Sequence, residues 1–283
     1  MIDTILDAVL DCLKDLPFLF VAFLLMEALE HHVSEKMNNV LEKSGNWGPL
    51  AGALLGCIPQ CGFSIMASDF YAGGVISLGT LLAVFLSTSD EAVIILMSNP
   101  KYLGDVGRLL LTKVAIGIIA GYIVLFFENL YYRHHPHTKK IEQLCGHCHC
   151  EEEGEGILRP ALHHTAEVFI FLLIFTVLLN ILLEAIGMQT ISRVLLSDSV
   201  FQPVLAALIG LIPNCAASVM LIQLYIDGII SFGSAVAGLC SAAGLGLVVL
   251  LRMNDHHKRE NAGIVALLYG IAVLSGIILQ AAV

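Results

Sequence analysis

Charge is scarce in this sequence. Only 13% of its 283 residues are charged while 57% are hydrophobic, and the mean hydropathy is +0.85, so too few polar side chains are present to cover a soluble domain. Basic residues are scarcer still: 14 Lys and Arg against 24 Asp and Glu give a formal net charge of −10. No basic stripe is available for a nucleic-acid backbone, which excludes nucleic acid as a partner. Period-2 alternation is missing too, which excludes an outer-membrane barrel. Neither a Gly-x4-Gly-Lys-Ser/Thr phosphate loop nor an Asp-Lys-Thr-Gly phosphorylation motif occurs, and no soluble part is large enough for a nucleotide. A transported solute would have to move at the expense of an ion gradient.

Long apolar runs are abundant. They fall at 18–26, 75–85, 109–127, 168–183, 236–251 and 263–283, several of them near the ~20 residues that a helix needs to cross the hydrocarbon core. The chain reads as an all-α polytopic membrane protein. Its start lacks a positive n-region and a small-residue cleavage site, so the first apolar block is expected to stay in the mature chain. Asp3, Asp7, Asp11 and Asp15 share one face of a short amphipathic helix leading into the membrane.

The chain also repeats itself. A shift of 154 positions aligns the halves without a gap from Leu29-Glu30 with Leu183-Glu184 to Ser87 with Ser241. Along the way Pro49 meets Pro203, Cys57-Ile-Pro-Gln-Cys61 meets Leu211-Ile-Pro-Asn-Cys215, Tyr71 meets Tyr225 and Gly74 meets Gly228. Each copy is expected to hold a long helix (16–33; 165–187) and two short ones (47–58 and 62–73; 201–212 and 215–226). Two further long helices follow (75–97 and 106–128; 229–251 and 261–282). The domains are then a first repeat at 1–128, a His/Cys-rich linker at 129–164 and a second repeat at 165–283.

Neither short helix can cross alone, since about twelve residues rise only ~18 Å. Each pair is therefore one span broken at Pro or a re-entrant hairpin, with the freed backbone facing protein or a cavity. Hairpins leave an odd number of crossings per copy and make the copies inverted; broken spans make them parallel. Basic residues do not decide, because either topology divides them nine against five. With hairpins, Lys14, Lys101, Arg108, Lys113 and Arg193 form the minority side. Inverted repeats are the expectation, because that architecture recurs in secondary transporters, with the linker in the cytoplasm and both termini outside.

Three constellations carry chemistry. The first is the paired Pro motif, where Pro59, Gln60, Cys61 and Pro213, Asn214, Cys215 bring bare carbonyls, helix ends and a thiol toward the midplane from each copy. Its bland alternative is two proline kinks beside small buried thiols. The second is Ser87-Thr-Ser-Asp90-Glu91, two acids in an otherwise apolar helix, where a charge costs ~2.5–3.5 kcal/mol on insertion scales. The other copy has Cys240-Ser-Ala-Ala-Gly244 there, and Asp69 likewise faces Gln223, so the site is asymmetric. A helix end among headgroups, or an ion pair with Lys113 or Arg108, would explain Asp90 and Glu91 without a site. Glu30, His31, His32, Glu184, His163 and His164 read as solvated interfacial groups or gate residues.

The third constellation is in the linker. His134-His-Pro-His137 precedes Cys145-Gly-His147-Cys148-His149-Cys150 and an acidic run, a ligand tract for soft or borderline metals that lacks the second knuckle of a folded zinc module. It is expected to capture or sense metal.

Ile58-Pro-Gln-Cys-Gly62, Thr88-Ser-Asp-Glu-Ala92, Ile212-Pro-Asn-Cys215 and the linker tract together resemble the ten-transmembrane heavy-metal exporter family. That family is related to arsenical permeases and is also labelled as manganese transporters. The resemblance covers nearly the whole chain and implies ten hydrophobic segments and export of a toxic or excess metal or metalloid.

The expected function is secondary active, proton-coupled export of a transition or heavy metal cation across the inner membrane, without enzymatic chemistry. Cys61, Asp69, Ser87, Asp90, Glu91 and Cys215, with Pro59, Gln60, Pro213 and Asn214, would form or flank the pathway. Cys61, Asp90, Glu91 and Cys215 would ligate the ion there, and Cys145, His147, Cys148, His149 and Cys150 in the linker. No cofactor is required; a divalent ion such as Mn or Zn is the substrate, and its partners are the lipid bilayer and, in a homo-oligomer, a second copy. The alternatives are an arsenite or organoarsenical permease using the thiols, and a membrane thiol oxidoreductase pairing Cys145 with Cys148 and Cys57 with Cys61.

Overall fold

The computed structural model describes residues 47–59, 62–89, 91–134, 158–186, 201–254 and 257–282, together with residues 9, 13, 16, 17, 20, 21, 23 and 24. Within these the chain forms helices and no strand. The first copy contributes α1 (Gly48–Gly56), α2 (Gly62–Ala72), α3 (Leu78–Ser87), α4 (Glu91–Ser98) and, after a 3-10 turn, α5 (Leu103–His134). The second opens with α6 (Leu158–Ile186) and continues through α7 (Gln202–Gly210), α8 (Cys215–Ile226), α9 (Phe232–Ser241), α10 (Leu245–Met253) and α11 (Lys258–Ala282).

The same local chemistry punctuates both copies. Pro49 and Pro203 lie in the first turns of α1 and α7, where a missing N–H is harmless. Ser77 and Ser231 cap α3 and α9 by accepting the backbone N–H of Thr80 at 3.2 Å and of Ser234 at 3.1 Å. After α2 and α8 the chain reverses through left-handed turns at Gly74 and Gly228, closed by Val75 N–H to Phe70 O at 2.8 Å and Ile229 N–H to Leu224 O at 2.9 Å. The sequence repeat is thus a repeat of structure.

The helices expected at 75–97 and 229–251 are not continuous. Each is interrupted at its middle, between α3 and α4 and between α9 and α10. In the first copy two hydroxyls compete with the helical ladder: Ser87 Oγ donates to Ala83 O at 2.7 Å and Thr88 Oγ1 to Val84 O at 2.7 Å, and Thr88 then leaves helical geometry at ψ 124°. In the second copy Ala242 leaves the helix at ψ 76° and Gly244 sits at φ 57°, ψ −145°, a region that only glycine enters without strain. The linker also differs at its ends, since α5 runs to His134 and α6 begins at Leu158.

Among the described residues four segments are long and apolar enough to cross a membrane: Leu78–Ser98, Leu103–Leu130, Phe232–Met253 and Lys258–Ala282. The two broken ones are the interior, with 81% and 94% of their apolar windows buried, against 39% and 22% for α5 and α11. Leu111, Ile119 and Phe126 on α5 and Leu274 and Ile278 on α11 are exposed, as lipid-facing side chains are. The chain is a multi-pass helical membrane protein.

The copies interlock by exchange. The second arm of each short pair packs on the far half of the other copy's broken helix, α2 on α10 and α8 on α4. Ser68 Oγ donates to Gly246 O at 2.6 Å. At the far ends of these arms the equivalent tyrosines make equivalent bonds: Tyr71 Oη donates to Glu260 and Tyr225 Oη to Asp105, the latter at 3.0 Å. The first arms stay at home, α1 on α3 and α7 on α9. There Gly56 and Gly210 let the arm tips touch the helix breaks. A Cβ on Gly56 would lie 2.3 Å from Ser87 Oγ, and one on Gly210 would lie 2.0 Å from Gly238 O.

Candidate functional site

The two breaks meet at a lysine. Lys113 stands on α5, eleven residues into a helix that faces lipid on its other side, and is 2% exposed. Its Nζ donates to Thr88 O, at the C-terminal end of α3, and to Leu239 O, in the last turn of α9, the latter at 2.8 Å. Helix C-termini carry about half a negative charge each. Two of them converge on one ammonium.

A crevice between the copies opens beside this ammonium, lined by Thr88, Ser89, Lys113, Ser218, Leu239 and Ala242 and too tight to hold a water molecule. Ser218 Oγ is buried there and makes no hydrogen bond among the described residues, although a buried hydroxyl ordinarily finds a partner. The arm tips brace the crevice from behind. Ser89 N–H donates to Gly56 O at 3.1 Å, and Ser241 Oγ donates to Ala207 O at 2.7 Å. The site therefore draws on both copies, and its walls are mixed, with Ala92, Val93 and Leu109 beside the hydroxyl-bearing residues and Lys113.

The residues expected from sequence divide into three groups. Ser87 is fully buried at the break, where its hydroxyl is committed to helical carbonyls. Pro213, Asn214 and Cys215 are half-buried at the tip of the second pair, and Asn214 caps α8 by accepting Ala216 N–H at 2.9 Å; Pro59, its counterpart's neighbour in the first pair, is exposed. Asp69 stands apart on α2. It is 1% exposed, and neither carboxylate oxygen has a hydrogen-bond partner among the described residues. Its counterpart Gln223 is exposed and donates to Asp227 at 3.0 Å. Asp69 is therefore not a solvated helix-end carboxylate.

Gln60, Cys61, Asp90 and the linker ligands Cys145, His147, Cys148, His149 and Cys150 lie outside the described residues, as do Glu30, His31 and His32. Glu91 is the first residue of α4. His163 is exposed on α6. Among the described residues no three His, Cys, Asp or Glu side chains come together, and Cys57, Cys215 and Cys240 are outside any disulfide. The Cys57–Cys61 pair falls on the undescribed Cys61.

Sequence reasoning named Lys113 only as an ion-pair partner for Asp90 and Glu91 and Thr88 only as part of a motif, and it did not single out Leu239 or Ser218. The lysine was visible within Leu109-Leu-Leu-Thr-Lys113-Val-Ala-Ile116, and an ionisable residue inside an apolar helix marks function by default. Counting it among the charges at one membrane face hid that signal.

No curated protein and no solved structure matches the chain. One family model matches it over residues 1–190 and 167–283, the whole of its length. The chain belongs to the family described as "Putative, 10TM heavy-metal exporter".

Proposed function

We propose that the protein is a secondary active transporter of two inverted copies, which exports a transition or heavy metal cation from the cytoplasm in exchange for protons. The observation that carries this reading is the meeting of two helix breaks, one from each copy, whose carbonyls Thr88 O and Leu239 O converge on one ammonium inside a membrane bundle. Unwound carbonyls and half-helix C-termini at the centre of a bundle are a cation-binding arrangement. Membership of an exporter family supplies the direction of transport.

Inversion is supported by where the arms begin and end. Gly48 abuts Thr80 at the start of α3, and α2 leads back to that same start; Leu78 N–H there faces Glu128 near the end of α5. In the second copy Gln202, at the start of α7, bonds Ile229 and Ser231 beyond the end of α8. That end of the bundle also holds the start of α5, where Tyr102 Oη donates to Ile226 O at 2.9 Å. Each pair thus returns to the end it entered from, and the two pairs enter from opposite ends. Reporter fusions after Val283 and within residues 138–142 are expected to fall on opposite sides of the membrane. Fusions on the same side would overturn inversion.

Proton exchange is supported by Asp69, because a buried carboxyl without a hydrogen bond calls for a cation or a proton. The substrate is tested by growth and export in expressing cells across a metal and metalloid panel. The expected result is resistance and lowered cell content for a divalent cation such as Mn2+ or Zn2+. Protection against arsenite or an organoarsenical alone would transfer the substrate to the thiol-binding class, and no protection against any member would overturn the transport reading.

A further inference from the structure

We propose that the Lys113 ammonium is a tethered competitor for the transported cation, occupying the carbonyl site between the two helix breaks when the site is closed and giving it up when the metal ion enters. The inference rests on the cation-transport reading above and assigns that reading a residue and a place.

Three observations carry it. First, Nζ occupies the position of a bound cation, with oxygen ligands from both copies, Thr88 O and Leu239 O. Those oxygens terminate two half-helices whose dipoles favour positive charge at that point. Second, the lysine has no counterpart. Contacts between Gly79 and Gly121 and between Gly233 and Gly276, together with the Tyr71–Glu260 and Tyr225–Asp105 bonds, put the last helices one residue beyond the 154-residue register. Lys113 therefore corresponds to Leu268, which is fully buried on α11 in the main apolar cluster. The fold has a leucine at this place in one copy, so packing alone does not demand a lysine. Third, the crevice beside Nζ has an unpartnered buried hydroxyl, Ser218 Oγ, on the α8 arm contributed by the other copy. A cation that displaced the ammonium would meet the two carbonyls and this hydroxyl together.

A competitor on a flexible stem has two effects on an exporter. It weakens the metal's hold by making entry an exchange of cations. It also speeds release, because the ammonium returns to the carbonyls as the metal leaves and the site never stands as an empty ring of dipoles in a medium of low dielectric. Removing the charge should separate the two effects.

The experiment uses the full-length protein in nanodiscs for binding and in inverted membrane vesicles for transport, with Mn2+ and Zn2+ as the probes. In Lys113→Leu, the residue of the second copy, at least one of these ions is expected to bind about fivefold or more tighter than in wild type, the lower edge of ordinary coupling between sites. Its transport at saturating metal should fall by a similar or larger factor. Lys113→Gln, which keeps a donor and removes the charge, should shift binding in the same direction and serves where the leucine variant fails to accumulate. Lys113→Arg should leave binding as weak as in wild type. If wild type binds and transports either ion but the neutral variants bind it no more tightly, the competitor assignment is overturned while the transport reading stands. If neither ion binds to or is moved by any of the proteins, the cation reading falls and takes this inference with it.

Discussion

Export should fall to background in Asp90→Asn and in Glu91→Gln, with protein abundance near that of wild type. Both substitutions keep volume and remove a negative charge from the stretch between Ser89 and Ala92, which line the central crevice. A metal ion needs anionic or strongly dipolar ligands to leave water. The carbonyls at the breaks provide dipoles, but the described part of the crevice contributes only positive formal charge, from Lys113. A divalent ion entering beside an ammonium would be repelled unless carboxylates balanced it. The loss should exceed the ~10–100-fold typical of removing an outer-shell partner at a metal site. The double variant should be no worse than the more severe single one if the acids act as a unit. Because Glu91 opens α4, its carboxylate could instead serve the helix N-terminus, a contribution of typically 0.3–1 kcal/mol. In that case Glu91→Gln would lower stability slightly and leave transport intact. Retained export in the double variant at normal abundance would return both residues to a structural role.

Much of this architecture was legible because the repeat reuses local signals. Pro49 and Pro203, Ser77 and Ser231, and Gly74 and Gly228 recur at one offset, and each marks a helix boundary for a chemical reason that acts within a few residues. The short helices expected at 62–73 and 215–226 accordingly fall at Gly62–Ala72 and Cys215–Ile226. The helix breaks were harder to see. Residues 78–86 and 92–97 are apolar on both sides of the first one, so hydrophobicity runs through it, and only the consecutive hydroxyls Ser87-Thr-Ser89 announce a competitor for the ladder. Gly244 announces the second break no more loudly than any glycine in a membrane helix. What Lys113 binds was illegible for another reason. Its ligands are backbone carbonyls 25 and 126 positions away, and a carbonyl has no residue identity for a sequence pattern to register. The exchange of α2 and α8 between copies is likewise a property of the assembled fold, since its apolar contacts, such as Ile65 against Leu245 and Val249, would satisfy many pairings.

Asp69→Asn should uncouple transport without unfolding the protein. The carboxyl is buried on α2 with both oxygens unpartnered among the described residues, so replacing it by an amide of equal size breaks no hydrogen bond described there, and the abundance of folded protein should stay near that of wild type. An ionised carboxylate in that setting is costly unless a cation accompanies it. Under the proposed proton exchange the group would act as a carrier, neutral with a proton and charged only while a cation is near. Asparagine mimics the protonated form permanently. Uphill accumulation of metal driven by a pH gradient in inverted vesicles should then be lost, while exchange of labelled for unlabelled metal across the same membrane should persist, because exchange needs the metal site but no proton cycle. The neighbouring Ser68, held to Gly246 O and Ser64 O at 2.6 and 2.8 Å, fixes α2 on α10, so a shift in Asp69's charge would be felt by the broken helix that shapes the crevice. That contact is the route by which protonation on one arm would bias the central site. If Asp69→Asn kept full gradient-driven accumulation, the proton would have to be carried elsewhere, and Asp69 would be a buried acid with no part in coupling. If exchange vanished together with accumulation, at normal abundance, Asp69 would belong to the metal's own path.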